Sequence, residues 1–376
     1  MFRAIISTLA AVALAVATGA TAGATSQSSI GVVMSGLDAP RGLAFGANGD
    51  LYVAEAGRGA PCAGSNELVL PPRNVTVCVG STGAISRLRH GRQAQIATGL
   101  PSWANRVTVP FPEIIGPSDV TVRGNGRLAV TIGWGGMPSA RSDAAAGGQP
   151  FGSLLRLNRN GKLERTVDVS AYEQAHNPAG GPLDSNPFGL LAERGTTYVA
   201  DAGANALLAV GRHGEISLAA VFPPIANPAG CFVPAPPPGF PAPPFSEPVP
   251  TAAARGPDGA LYVSGLGGFP FCAGGATIWR VADGRAAPCL SGFKTVVDLA
   301  FGPGGVLYLL QHASSPALVG GPGQLISVAP DGTRTTIDTG GALTQPVGLA
   351  VGPDGALYVS NRSVYAGQGT VLRIEP

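Results

Sequence analysis

Residues Gln345 to Asn361 form a unit that recurs five more times, and this repetition constrains the fold more than any other feature. Val347, Leu349 and Val351 alternate with Gly348 and Ala350, the period-2 pattern of a strand packed on both faces. Gly352-Pro353-Asp354-Gly355 is turn chemistry, and Leu357 to Ser360 returns antiparallel. The aligned positions Tyr52, Ala129, Tyr198, Tyr262, Tyr308 and Tyr358 stand 46 to 77 residues apart. Strand pairs repeating at such spacing without helical segments predict a propeller. Each pair is followed by a second hairpin, as in Ser153–Leu157 with Val167–Val169, so each blade has four strands. The expected fold is an all-β, six-bladed β-propeller. The sixth copy stops at its third strand, Thr370–Ile374, while Ser29–Leu37 resembles the outer strand Ala94–Leu100 of the first blade. The N-terminal strand is therefore expected to complete the last blade and close the ring, removing two exposed sheet edges.

Ahead of the repeats, Met1-Phe2-Arg3, an apolar Ala4–Ala17 stretch and small residues at Ala20–Ala24 read as a secretory signal peptide. The division is a signal at 1–24 and a propeller at 25–376, secreted or extracytoplasmic, a monomer, with no membrane span once the signal is cleaved. The 56 Gly and 35 Pro suit close strand packing and many turns. The formal net charge of +2 comes without a basic stripe or an aromatic stacking platform, which argues against a nucleic-acid partner.

In a four-stranded meander, the start of the first strand and the end of the second share a rim, and the inter-blade loops lie on it too. Glu55, Ile132, Asp201, Gly265, Gln311 and Asn361 end the second strands, and Arg41, Asp119, Asn186, Thr251, Asp298 and Gln345 begin the first. Arg41, Glu55, Asp119, Asn186, Asp201, Asp298, Gln311 and Asn361 are thus the candidate ligand-binding residues around one mouth, with Arg41 and Arg362 as counter-charges. Within this set Glu55, Asn186, Asp201, Asp298 and Asn361 are the oxygen donors that would suit Ca²⁺ or another divalent cation. The competing reading is that these side chains cap inter-blade loops.

Three long inserts share the rim: Gly57–Ser81, Gly133–Gly152 and the Pro-rich Phe222–Pro250. Insertions of this length without secondary structure of their own are often functional. Cys62 and Cys78 are placed to close their own loop, and Cys231 with Cys272 is the next plausible pair, leaving Cys289; connectivity is not fixed by sequence. His176 and His312 fall on the rim, but no hydrolase elbow, zinc motif or phosphate loop accompanies them, and catalytic residues are not assigned. The segment Glu173–Phe188 is the richest in polar groups for substrate contact. Trp103, Trp134, Phe151 and Phe188 are candidates for an exposed aromatic patch.

The repeat Pro-x-Gly-Leu-Ala-x-Gly-Pro-Asp-Gly-x-Leu-Tyr-Val resembles those of NHL-repeat and gluconolactonase-like propellers. Gly36–Phe45 with Val53–Gly59, the Cys62–Cys78 loop leading into Thr82-Gly-Ala-Ile85, Gly116–Val120 and Asp184–Leu190 are, in that order, similar to the ScyD/ScyE family of secreted bacterial proteins. That family resemblance implies a fold and an extracytoplasmic address. Two functions are carried forward. One is a propeller that binds or scaffolds a small molecule or protein partner through its loop-rich face. The other is a metal-dependent hydrolase or lyase of gluconolactonase type acting on a lactone, ester or phenolic compound.

Overall fold

The computed structural model describes residues 28–62, 66–71, 75–105, 113–144, 149–227, 231, 244–314 and 320–376. The signal-peptide assignment and the Pro-rich stretch at 232–243 lie outside the described residues. Six antiparallel four-stranded meanders surround a central axis. Their innermost strands are Pro40–Phe45, Pro117–Arg123, Pro187–Glu193, Pro250–Arg255, Val296–Phe301 and Leu349–Val351. Successive innermost strands touch one another around the whole ring.

The sixth blade is completed by the strand Ile30–Leu37. It pairs antiparallel with Gly369–Ile374, from Ile30 opposite Ile374 to Leu37 opposite Gly369. This is the closure that the outer-strand resemblance predicts.

The core follows from the alternating apolar residues of the repeat. Each blade hides both faces, so apolar clusters fill the space between neighbouring blades rather than one central interior. The cluster between blades six and one joins Met34, Leu37 and Val371 to Leu43, Leu51 and Val53. It therefore depends on the N-terminal strand. Near the axis the blades leave no room for side chains. A Cβ on Gly189 would stand 2.2 Å from the Thr251 carbonyl oxygen, and one on Gly348 would stand 2.4 Å from that of Arg41. Gly in these strands buys close backbone approach at the expense of side-chain packing.

Two inserts differ from the loops expected. In blade one the third and fourth strands run on to Val75–Arg89 and Arg92–Asn105, and Glu67–Leu70 adds a further strand on Val75–Cys78. The Cys62–Cys78 disulfide ties the base of this extension, with Cα atoms 5.1 Å apart. The 133–152 insert contains a 3-10 turn, Pro138–Ala140, and a short helix, Arg141–Ala144. Trp103, Trp134 and Phe151 are buried beneath these inserts, so they form no exposed patch. Trp103 Nε1 donates to the Trp134 carbonyl at 3.0 Å, and Trp134 Nε1 donates to that of Met137 at 2.9 Å. Both indoles thus satisfy their one polar group while burying their rings. Phe188 is half-buried.

Cys231 and Cys272 form the second disulfide, and Cys289 is free on an outer strand. No helix among the described residues is long and apolar enough to cross a membrane.

Candidate functional site

The side chains that end the second strands turn into the loops of the rim. Asp201 accepts from the N–H groups of Asn186, Gly203 and Ala204 and from the Ser185 hydroxyl, at 2.6 to 3.2 Å. Glu55 accepts from Asp38 N at 2.7 Å, Ser86 Oγ at 2.6 Å and Gln95 Nε2 at 3.2 Å. Gln311 takes Lys294 N and Asn361 takes Thr344 N. Each closes the loop entering its own blade, where the chain makes a sharp turn and leaves an N–H without a ladder partner. Asn186 Oδ1 holds Trp134 N at 3.1 Å. Arg362 is exposed.

The proposed divalent-cation set of Glu55, Asn186, Asp201, Asp298 and Asn361 is therefore not gathered at one point. Its oxygens already accept hydrogen bonds in different blades, and among the described residues no group of three or more His, Cys, Asp or Glu is placed to hold a metal ion. These residues do not fit a metal centre.

Asp119 and Asp298 behave differently. Near the start of the innermost strands the equivalent position carries Gly42, Asp119, Gly189, Ala252, Asp298 and Gly348, and a Cβ on any of the three Gly would strike the neighbouring blade. Two carboxylates thus stand in blades two and five at a position otherwise held by Gly and Ala. Asp119 accepts from Val120 N and from Leu190 N of the next blade, both at 2.7 Å. Asp298 repeats this with Leu299 N at 2.7 Å and Leu349 N at 2.6 Å. Each staples two blades together. Burial, then the negative charge of Asp298, holds the Asp119 carboxyl well above its ordinary range, and burial raises Asp298 to about 7.

Arg41 is the third charged residue of the first-strand set. Its guanidinium donates to the Ile114 carbonyl at 2.6 Å, and burial lowers its pKa to about 10. His312 Nδ1 lies 3.1 Å from the Pro346 carbonyl. A carbonyl only accepts, so Nδ1 carries the proton and Nε2 is the bare nitrogen. Burial, aided by the Arg41 charge, lowers His312 to about 4.

The segment Glu173–Phe188 is built around the helix Val169–His176, capped by Asp168 accepting from Ala171 N at 2.9 Å. His176 is exposed and stacks on Tyr172 with ring centroids 4.1 Å apart, so it does not face the mouth. Glu173 is buried, and its Oε2 has no hydrogen-bond partner. Burial, then the charges of Asp201 and Asp184, raises its carboxyl from 4.5 to about 7. A folded-state pKa above the unfolded value contributes stability that is full below about 4.5 and lost as pH rises through 7. Glu173→Gln is therefore expected to flatten the fall in urea midpoint between pH 5 and pH 8. An unchanged pH slope would show that the carboxyl finds a partner in solution.

One cavity on the loop-rich rim was not legible as a site. It has a volume of about 430 Å³ and is lined by Asp38, Arg58, Ser81, Thr82, Gln95 and Thr98 among others. Asp38 is 7% exposed; Arg58 binds its Oδ2 at 2.5 Å, while its Oδ1 has no hydrogen-bond partner. Thr82 Oγ1 accepts from Arg58 N at 2.9 Å, and Glu55 positions Gln95. Asp38, Arg58 and Thr82 fall in three separate segments of the sequence, so no local motif marked the cavity.

No protein-family model matches the chain, and no curated protein matches it in sequence. Solved structures do match it in fold. A gluconolactonase from Xanthomonas campestris aligns at a TM-score of 0.52 and 11% identity, over 93% of this chain and 91% of that one. The soluble aldose sugar dehydrogenase of Escherichia coli aligns at 0.53 and 15% identity, over 93% of this chain and all of that one. Identity this low speaks for architecture alone, and what the chain shares with these proteins is the six-bladed β-propeller fold.

Proposed function

We propose that the protein is an extracytoplasmic propeller that binds a small hydroxyl-bearing molecule on its loop-rich face, in the cavity formed by Asp38, Arg58, Thr82 and Gln95. One observation carries this reading. The exposed Arg58 guanidinium is fixed on the buried Asp38 carboxylate at the wall of an open polar cavity. A guanidinium held in place by a carboxylate meets ligand oxygens with little loss of side-chain freedom. The Arg58 guanidinium, the hydroxyls of Ser81 and Thr82 and the Gln95 amide supply both donors and acceptors for neighbouring ligand oxygens. The motifs resembling the ScyD/ScyE family and the two disulfides support an extracytoplasmic address.

Thermal-shift and calorimetric titration with glucose, myo-inositol, gluconate and catechol tests this reading. A saturable stabilisation by at least one of them is expected, weakened tenfold or more in Arg58→Ala. The Arg58 side chain is 62% exposed, but its loss leaves the buried Asp38 carboxylate without its ion-pair partner, so circular dichroism and melting check that the variant is folded before titration. No saturable binding by any of the four, or equal binding by the variant, would sink the assignment.

The enzymatic alternative would rest on Asp298, whose carboxyl burial raises to about 7, within the range of a general acid or base. A hydrolase acting on a lactone, ester or phenolic compound would use that carboxyl without metal help from the rim residues. Turnover of glucono-lactone abolished by Asp298→Asn in a folded protein would favour it over the binding reading.

A further inference from the structure

The opposite, turn-rich face gathers positive charge that no rim residue shares. Between blades two and three lies a cavity of about 450 Å³ lined by Arg123, Arg127, Leu128, Arg156, Glu164, Arg165, Gly195 and Arg212. Five guanidinium groups against one carboxylate give +5 − 1 = +4 in this lining. Glu164 pairs with Arg127 at 3.2 Å. Arg123 and Arg212 have no carboxylate partner among the described residues, while Glu215, next to this group, instead accepts from His213 N.

These arginines are held, not merely exposed. Arg156 is 7% exposed and donates to the carbonyls of Gly211 and Arg212, and its Nε has no acceptor. Arg165 donates to the His213 carbonyl at 2.5 Å. Backbone carbonyls orient these two side chains, and the Glu215 carboxylate offsets part of the Arg156 charge from outside the lining. The positive charges of Arg123 and Arg165 weigh against that of Arg156, which its burial already disfavours. A second cavity on the far side of Arg123 adds Arg87, Arg89 and Arg159 against Asp50.

We propose that the cavity between blades two and three binds a compact oligoanion, one presenting several phosphoryl or carboxylate groups close together. The planar fork of arginine matches both oxyanions with paired hydrogen bonds, so a cluster of guanidinium groups recognises either. A monoanion leaves most of the +4 unmatched, whereas three or four clustered negative charges neutralise it. The site is independent of the loop-rich cavity and of any ligand bound there.

Calorimetric titration of the whole mature protein with inorganic tripolyphosphate and with citrate, in metal-free buffer at 50 mM and 500 mM NaCl, tests the proposal. Saturable 1:1 binding by at least one anion is expected at low salt, weakened at high salt as ions screen the contacts. Arg123→Ala with Arg212→Ala should weaken it tenfold or more. Neither side chain makes a described structural bond, so the fold should survive; circular dichroism checks this. Arg285→Ala, exposed on blade four, should bind as wild type. Tripolyphosphate binding tenfold tighter than citrate would identify phosphoryl ligands, and equal affinities clustered anionic oxygens in general. Absence of saturable binding by both anions, or undiminished binding by the double variant, would overturn the assignment.

Discussion

A protein lacking Ile30–Leu37 is expected to lose its folded monomeric state rather than become slightly less stable. Met34 is 2% exposed and Leu37 is 1% exposed, and both stand in the apolar cluster that joins blade six to blade one. Removing one buried side chain of this size costs about 2–5 kcal/mol, and a domain has only about 5–15 kcal/mol in all. The deletion also bares Gly369–Ile374 as an unpaired edge, which invites pairing with another copy. Size-exclusion chromatography with light scattering reads the result: aggregates or multimers are expected, and a monodisperse monomer with wild-type melting would refute it. Met34→Asp in the full chain should fail in the same direction, because a charge in that cluster has no partner.

Asp201→Ala carries the second large effect. The carboxylate is fully buried and serves three backbone N–H groups and one hydroxyl. Truncation leaves those four donors unsatisfied in a dry loop, at about 1–3 kcal/mol each before any rearrangement. A fall of at least about 3 kcal/mol in unfolding free energy is expected from urea titration. Asp201→Asn, which keeps one acceptor oxygen, should lie between. The same experiment separates a loop cap from a cation ligand. A cap loses stability whether or not metal is present. Were Asp201 a ligand, added Ca²⁺ would stabilise the wild type but not the variant.

The architecture was readable from sequence because strand pairs with Pro-Asp-Gly turns repeat in register with their tyrosines. The closing strand was readable too, since Ser29–Leu37 copies an outer strand already present in blade one. What the sequence hid was direction. Glu55, Asp201, Gln311 and Asn361 do end the second strands as expected, yet they face inter-blade N–H groups. Which way a rim side chain turns depends on loop N–H groups with no periodic signature. Of the residues that begin the first strands, Asp119 and Asp298 instead reach across to an N–H of the next blade. Trp103 and Trp134 looked exposable because their inserts read as loops; once those inserts added strands and a short helix, the indoles became their core. The arginine cavity had no linear trace. Arg123 and Arg212 are 89 residues apart and meet only because blade two neighbours blade three.

The pairing of Ile30 with Ile374 also sets an order of events. A strand near the beginning must wait for one 344 residues later, so the circle is the last thing the nascent chain makes. Until then five repeats stack as an open crescent, with an unpaired strand at its leading end. Contacts so distant in sequence form slowly. The waiting strand is therefore the part of the molecule that a folding helper would have most reason to hold. Once closed, the ring brings that early strand beside the last repeat, so a circular permutant joining Ser28 to Pro376 through a short linker, with a break in an exposed turn such as Asp331-Gly332, would keep every contact while making the clasp local.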